Sequence, residues 1–295
     1  MSRSGPARAT FARRLRQHLP EYASEALGLA MFMVSACAFT LALEHPDSRL
    51  RGLLPDALVR RALMGIAMGA TLVANVHAPW GRRSGAHLNP ATTLAFWRLG
   101  RVTGADLLGY WIAQFAGGSA GVALMAWWAG PALAHPSVRY VVTQPGAAGA
   151  GVAFAAEFTI AFVLLSVVLR VMASVRHAHL TPWVAGGLVA ACIALEAPLS
   201  GMSMNPARTF GSALLARDFR AFWVYVAAPP LAMLAAVEAW RVELRWRRHW
   251  ESGCAKLLHR ANEACIFCGQ PAADRVRKSG TSGATSAFTT GRRSS

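Results

Sequence analysis

The sequence predicts an all-α membrane protein of six transmembrane helices and two re-entrant half-helices, arranged as an inverted repeat. Three observations predict it. The first is composition: 295 residues, 54% hydrophobic and only 15% charged, against roughly 25% charged in an average soluble chain. The second is a set of six apolar stretches, about 22–43, 60–79, 106–129, 150–172, 181–198 and 221–240, each close to the roughly 20 helical residues that cross a hydrocarbon core about 30 Å thick. The third is a tripeptide, Asn-Pro-Ala, that opens two shorter apolar segments at Asn89-Pro90-Ala91 and Asn205-Pro206-Ala207.

The net charge of +16 sits on the ends. Residues 1–20 carry +5 and residues 241–295 carry +7, leaving +4 for everything between. The division is therefore a basic N-terminal tail (1–20), an apolar body (21–242, with halves at about 21–129 and 150–242) and a basic, cysteine-bearing C-terminal tail (243–295). Charge confined to tails argues against a nucleic-acid-binding body. With both termini cytoplasmic, 22 of the 30 Lys and Arg residues lie on the inner side, the asymmetry expected of an even number of crossings. The first stretch follows a basic leader and contains Ser35-Ala36-Cys37-Ala38, but its apolar run is longer than a signal-peptide core, so it reads as an uncleaved span. Only Lys256 and Lys278 accompany 28 arginines, a codon bias that points to a bacterial inner membrane.

The two short segments, Ala91–Trp97 and Ala207–Leu215, are too short to cross. Each precedes the last span of its half, and three-span halves must have opposite orientations, the pattern in which paired interrupted segments mark a transport site. Asn is among the best helix N-caps and Pro suits the first helical position. Each box thus reads as the start of a half-helix. If each Asn oxygen caps its own helix, its NH₂ is left to donate outward, beside two positive helix ends meeting near the midplane. Such a point suits a neutral hydrogen-bonding solute and repels cations. A single Asn-Pro would be an ordinary turn signal; the matched pair is what carries weight.

Ser84-Gly85-Ala86-His87-Leu88-Asn89-Pro90-Ala91 and Gly201-Met202-Ser203-Met204-Asn205-Pro206-Ala207-Arg208-Thr209-Phe210-Gly211 closely resemble the two signature loops of aquaporins, the major intrinsic proteins. The resemblance covers about residues 20–242 and excludes the C-terminal tail. It implies a passive channel conducting water and small neutral solutes while excluding protons and ions, and a homotetramer in the bilayer. It also places Arg208, three residues into the second half-helix where the first has Thr92, in a selectivity filter. Carried over by spacing, the other filter positions fall on Ile193, Met202 and, on the second span, Met68 or Met64. This filter lacks the His usual in water-selective members and has no evident aromatic, so it should be less polar than a strict water channel's. Thr209, Ala213 and the Phe222-Trp223 pair instead resemble water channels. Water with leakage of solutes such as glycerol, ammonia or hydrogen peroxide is the expectation; the alternative is a facilitator mainly for such solutes.

Glu25 and Glu157 occupy comparable places in the first span of each half. A carboxylate in hydrocarbon suggests function by default, here a proton relay in an ion-coupled transporter. The resemblance implies instead that both accept hydrogen bonds from loop N–H groups that must be satisfied at that depth. His87 reads as a buried, hydrogen-bonded loop residue rather than a gate. Gly65-x₃-Gly69 and Gly117-x₃-Gly121 offer faces for close helix packing.

Of the five cysteines, Cys37 and Cys192 lie in apolar segments. Cys254-x₄-His259-x₅-Cys265-x₂-Cys268 holds four soft-metal ligands, of which only the C-x₂-C half is a standard zinc element; free thiols are the other reading. Arg241, Arg245, Arg247 and Arg248 with Trp246 and Trp250 would suit anionic headgroups, and the composition of 279–295 predicts disorder. The apolar body contains no nucleophile–base motif and no cofactor motif, so no enzymatic activity and no cofactor are expected.

Overall fold

A computed structural model describes residues 11, 13–246, 254–259 and 265–268; Arg247, Arg248, Trp250 and the segment 279–295 lie outside them. Among the described residues six long helices are present: α1 (Leu19–Glu44), α2 (Ala57–His77), α4 (Gly104–Ala129), α5 (Gly149–Ala173), α6 (Thr181–Leu195) and α8 (Phe222–Trp246). The half-helices are α3 (Pro90–Arg98) and α7 (Pro206–Ala216). No strand occurs among the described residues.

The helix ends follow local chemistry. Asp56 accepts from the N–H groups of Leu58 and Val59 to start α2, and the Thr103 hydroxyl accepts from Asp106 to start α4. The fifth apolar stretch stops at Leu195, short of the expected 198, because Ala197–Ser200 turns separately as a short helix with Pro198 in its first turn. A matching short helix, Pro79–Ser84, leads into the first box.

The outward surfaces of the spans are apolar. Ile66, Ile112, Leu124 and Leu231 are exposed, and Trp127, Trp128 and Trp223 lie near one end of the bundle with Trp97 and Trp183 near the other. An apolar exterior banded by Trp is what a lipid-facing surface requires.

Glycines set the closest helix contacts. A Cβ on Gly65 or Gly69 would overlap the carbonyls of Ala190 and Gly186 across the α2–α6 contact, and one on Gly117 or Gly121 the carbonyls of Ala26 and Ala30 across α4–α1. Both glycine pairs therefore serve packing within the chain. Each half-helix packs into the opposite half: α7 onto α4, where Gly211 meets Gly118, and α3 onto α8. At 9 and 11 residues the half-helices are about 14 and 17 Å long, so end to end they make up roughly one bilayer thickness.

Candidate functional site: the paired boxes and the cavity through them

The two loops ahead of the boxes have one backbone plan. Each short helix ends at a left-handed glycine, Gly85 (φ 92°) and Gly201 (φ 78°), and the residues one and three positions further on also take positive φ: Ala86 and Leu88 in the first loop, Met202 and Met204 in the second. Non-glycine residues hold that conformation only when their surroundings over-determine it. The surroundings are the same in both halves. The Ser84 and Ser200 hydroxyls accept from the N–H groups of Ala86 and Met202. The Ser84 and Ser200 carbonyls accept from the phenols of Tyr110 and Tyr225, at 2.5 and 2.6 Å.

Beneath each loop lies a buried carboxylate. Glu157 accepts from the N–H of Ser203 (2.6 Å) and of Met204 (2.7 Å) and from the Ser200 hydroxyl (2.9 Å). Glu25 accepts from the N–H of Leu88 and from Gln114 Nε2 (2.9 Å). Without these acceptors the loop amides would be orphaned in a dry interior, at a cost of about 1–3 kcal/mol each. Both carboxylates are thus engaged as loop supports.

Asn89 caps α3 by accepting from Ala91 N–H, and Asn205 caps α7 by accepting from the N–H groups of Ala207 and Arg208. Their amide nitrogens are not wholly free, as the sequence suggested they would be. Asn89 Nδ2 donates to the Met204 carbonyl (2.6 Å) and Asn205 Nδ2 to the Leu88 carbonyl (2.7 Å). The sequence brings the two boxes to one point but does not show that each amide reaches the loop of the other half. One hydrogen of each NH₂ is used in this reciprocal bond, and the second is left for the cavity that both residues line.

That cavity has a volume of about 350 Å³, room for roughly a dozen waters at liquid density. Its lining on α1 runs from Leu29 to Glu44, about 22 Å along the helix axis, so it is a long internal passage in shape, deeper than a surface dent. Thr40, Glu44 and Arg61 line the end remote from the chain termini, and His87, Leu165, Met233 and Leu257 the end nearer to them. Arg208, Ile193, Met202, Met68 and Met64 all line it; the two methionines one turn apart both face in, so the structure has no need to choose between them. Thr92 also lines the passage, bonded to Met233 Sδ at 3.6 Å. By contrast, Thr209 bonds Ser203 in its own loop at 2.5 Å, and Trp223 faces outward, stacked on Phe154.

Sequence reasoning missed two sets of residues. Val138, Val141 and Val142, in the connection between the halves, line the passage beside Arg208, and Thr143 accepts a hydrogen bond from the Arg208 guanidinium. Asp218 anchors that connection by accepting from Arg139 (3.0 Å) and Gln144 (2.5 Å) as well as from Arg220 (2.8 Å). Hydrogen bonds from Arg220 hold its carboxyl well below the usual carboxylate range, and the Gln144 amide adds to this. In the second set, Tyr110 and Tyr225 could have been found by aligning the halves, since Ser84 and Ser200 stand at the same offset before each Asn; Gln114 has no counterpart, Pro229 standing at its place.

Residues 13–238 match the model of the family described as "Major intrinsic protein". The chain belongs to the major intrinsic protein family. It is 36% identical over 183 residues to aquaporin NIP1-4 of Oryza sativa subsp. japonica, covering 61% of this chain and 64% of that one. Aquaporin NIP6-1 of Arabidopsis thaliana is 39% identical over 175 residues, covering 58% and 55%. The chain thus spans somewhat over half the length of these NIP relatives. Aquaporin TIP2-1 of Arabidopsis thaliana matches 32% over 222 residues, with 73% and 82% covered. The fold is that of the aquaglyceroporin from Plasmodium falciparum, with a TM-score of 0.61, 18% identity, and 76% of this chain and 95% of that one covered. The relatives named here are plant proteins, so they add nothing to the bacterial reading of the arginine bias.

Proposed function

We propose that this protein is a passive transmembrane channel for water and small neutral solutes, excluding protons and ions. The observation that carries the reading is the reciprocal pairing of Asn89 and Asn205 at the meeting point of two half-helices, inside a passage that runs along α1. Each Asn has one N–H left to donate, so a passing oxygen accepts from both and its own hydrogens are turned away from its neighbour's lone pairs. Two positive helix ends and the Arg208 guanidinium disfavour a cation or hydronium at the same place, the general way in which pores of this kind reject protons.

The passage walls around Arg208 are Ile193, Met202, Met64, Met68 and three valines. That lining offers dispersion contacts to a carbon skeleton while Arg208 supplies the polar side, which supports glycerol-sized solutes beside water. The relatives are named aquaporins and the structural neighbour an aquaglyceroporin, names that fit both substrates. Occupation of Glu25 and Glu157 by loop donors speaks against a proton-coupled transporter. We further propose a homotetramer in a bacterial inner membrane, both termini cytoplasmic, as the arginine distribution and the family support.

Stopped-flow light scattering on proteoliposomes tests the reading. Osmotic permeability well above that of empty vesicles is expected, with measurable re-swelling in a glycerol gradient. Permeability no greater than the lipid background would refute it, and flux abolished by collapsing a proton gradient would install the coupled transporter.

A further inference from the structure

The channel does not account for the C-terminal tail, and there the structure gathers Cys254, His259, Cys265 and Cys268 into a single cluster. One ligand atom from each lies within 4.8 Å of all the others. Cys254 Sγ is 3.3 Å from Cys265 Sγ, and Cys268 Sγ is 3.3 Å from His259 Nε2. A tetrahedral zinc site with its usual bond lengths has ligand–ligand edges of about 3.5 to 3.8 Å, so the two 3.3 Å pairs need to open slightly and the longer separations, within 4.8 Å, to close around a central ion. Four protein ligands with none left over is the closed arrangement of structural zinc.

The cluster is built against the passage. Between and beside its ligands, Ala255, Lys256, Leu257 and Leu258 are buried. His87 Nε2 donates to the Ala255 carbonyl (2.9 Å), Leu257 N–H donates to the Gly85 carbonyl (3.1 Å), and Lys256 Nζ donates to the Arg82 carbonyl (2.6 Å). Phe267 and Phe96 both stack with the His87 ring, at centroid distances of 5.5 and 5.0 Å and near-parallel planes. Leu257 enters the lining of the passage at the end that bears the termini.

We propose that these four residues bind one zinc-class ion, and that the metal-clasped segment seats Leu257 in the mouth of the channel as a plug. The energetics favour a metal. The tail segment has no helix or strand among its described residues, and ordering a residue's backbone costs about 1–2 kcal/mol, more than its few apolar contacts return. Metal ligation couples directly to such ordering because the site exists only in the folded segment. Three thiolates and a neutral imidazole leave the filled site with one net negative charge, and Arg101 is within electrostatic reach of Cys254 to offset it. Loss of the ion would release the segment and open the mouth. The metal site stands apart from the channel reading; the plugging rests on it.

The test uses the full chain, purified with reductant and with zinc as the probe. One zinc per chain by elemental analysis is expected, falling to none after a strong chelator and returning on zinc addition. Zinc near zero with all thiols titrating as free, or a Cys254–Cys265 disulfide in the reduced preparation, would overturn the site. In proteoliposomes, stripping the metal with a permeant chelator should raise osmotic permeability several-fold. The double variant Cys265→Ser, Cys268→Ser should bind no zinc and be as permeable as the stripped protein, while Leu257→Ala should bind zinc and be open. Zinc bound but permeability indifferent to it would overturn the plug. Background permeability in stripped, zinc-loaded and Leu257→Ala protein alike would overturn the channel itself, while zinc content still reports on the site.

Discussion

The two re-entrant loops share a scaffold and differ in what surrounds them. Both have a left-handed Gly, a Ser that accepts from the loop and takes a Tyr on its carbonyl, a buried Glu, and a capping Asn held by the other half. The first has His87 and Thr92 where the second has Ser203 and Arg208. His87 stacks with both Phe96 and the tail's Phe267, whereas the Ser203 hydroxyl bonds only to Asn205 and Thr209 of its own half. Arg208 is tied to the connection between halves. The repeat therefore fixes the geometry around the cavity, and the departures from it tie one end to the tail and the other to the connection between the halves.

The largest effect that would sharpen this comparison is on the shared scaffold. Glu157→Ala and Glu25→Ala each leave buried N–H donors unpaired, at about 1–3 kcal/mol per donor, and both should sharply lower the midpoint of thermal unfolding in detergent. A loss confined to one of the two would break the equivalence of the loops. Next comes the main asymmetry: Arg208→Ala should raise glycerol permeability relative to water by about tenfold, equal to about 1.4 kcal/mol of barrier. Unchanged selectivity would mean that discrimination lies elsewhere in the passage. Thr143→Val removes only the hydroxyl that positions Arg208, a contribution of about 0.5–1.5 kcal/mol, so selectivity should shift the same way and less.

The smallest expected effect concerns acid. Because the Asp218 carboxyl is held below its ordinary range by Arg220, its contribution to holding the connection is complete above the unfolded carboxylate value near 4. It is lost only as pH falls through the lower folded value. Hydrogen exchange of residues 139–146 should therefore be the same at pH 7 and pH 5, apart from the intrinsic rate, and Asp218→Asn should accelerate it at both. A sharp loosening between pH 7 and 5 in the native chain would show that another group holds the connection.

The spans were legible because crossing a bilayer demands length and apolarity, both local properties: α2 and α4 begin within about three residues of expectation. The half-helices were legible because Asn and Pro at a helix start act within a few residues. What escaped is non-local. The bond from Asn89 to Met204 joins residues 115 apart, and nothing in either segment announces it. Thr143 sits in a connection without periodicity, and its role exists only because Arg208 comes to it. The gathering of Cys254, His259, Cys265 and Cys268 was not legible in their spacing, because the segment carrying them is held by contacts to residues 82–87 that lie about 170 residues earlier.

One consequence of the exchanged asparagine bonds concerns where such a molecule can be regulated. Each half holds the other's capping residue, so any shear of one half against the other breaks both exchanged bonds together and leaves two buried amide donors and two loop carbonyls unpaired. The midpoint is in effect a fixed gauge, clamped from two sides and unable to serve as a valve. In a channel of the proposed kind, control of flow is then left to the two ends, one bounded by a stretch of connection and the other by a tail.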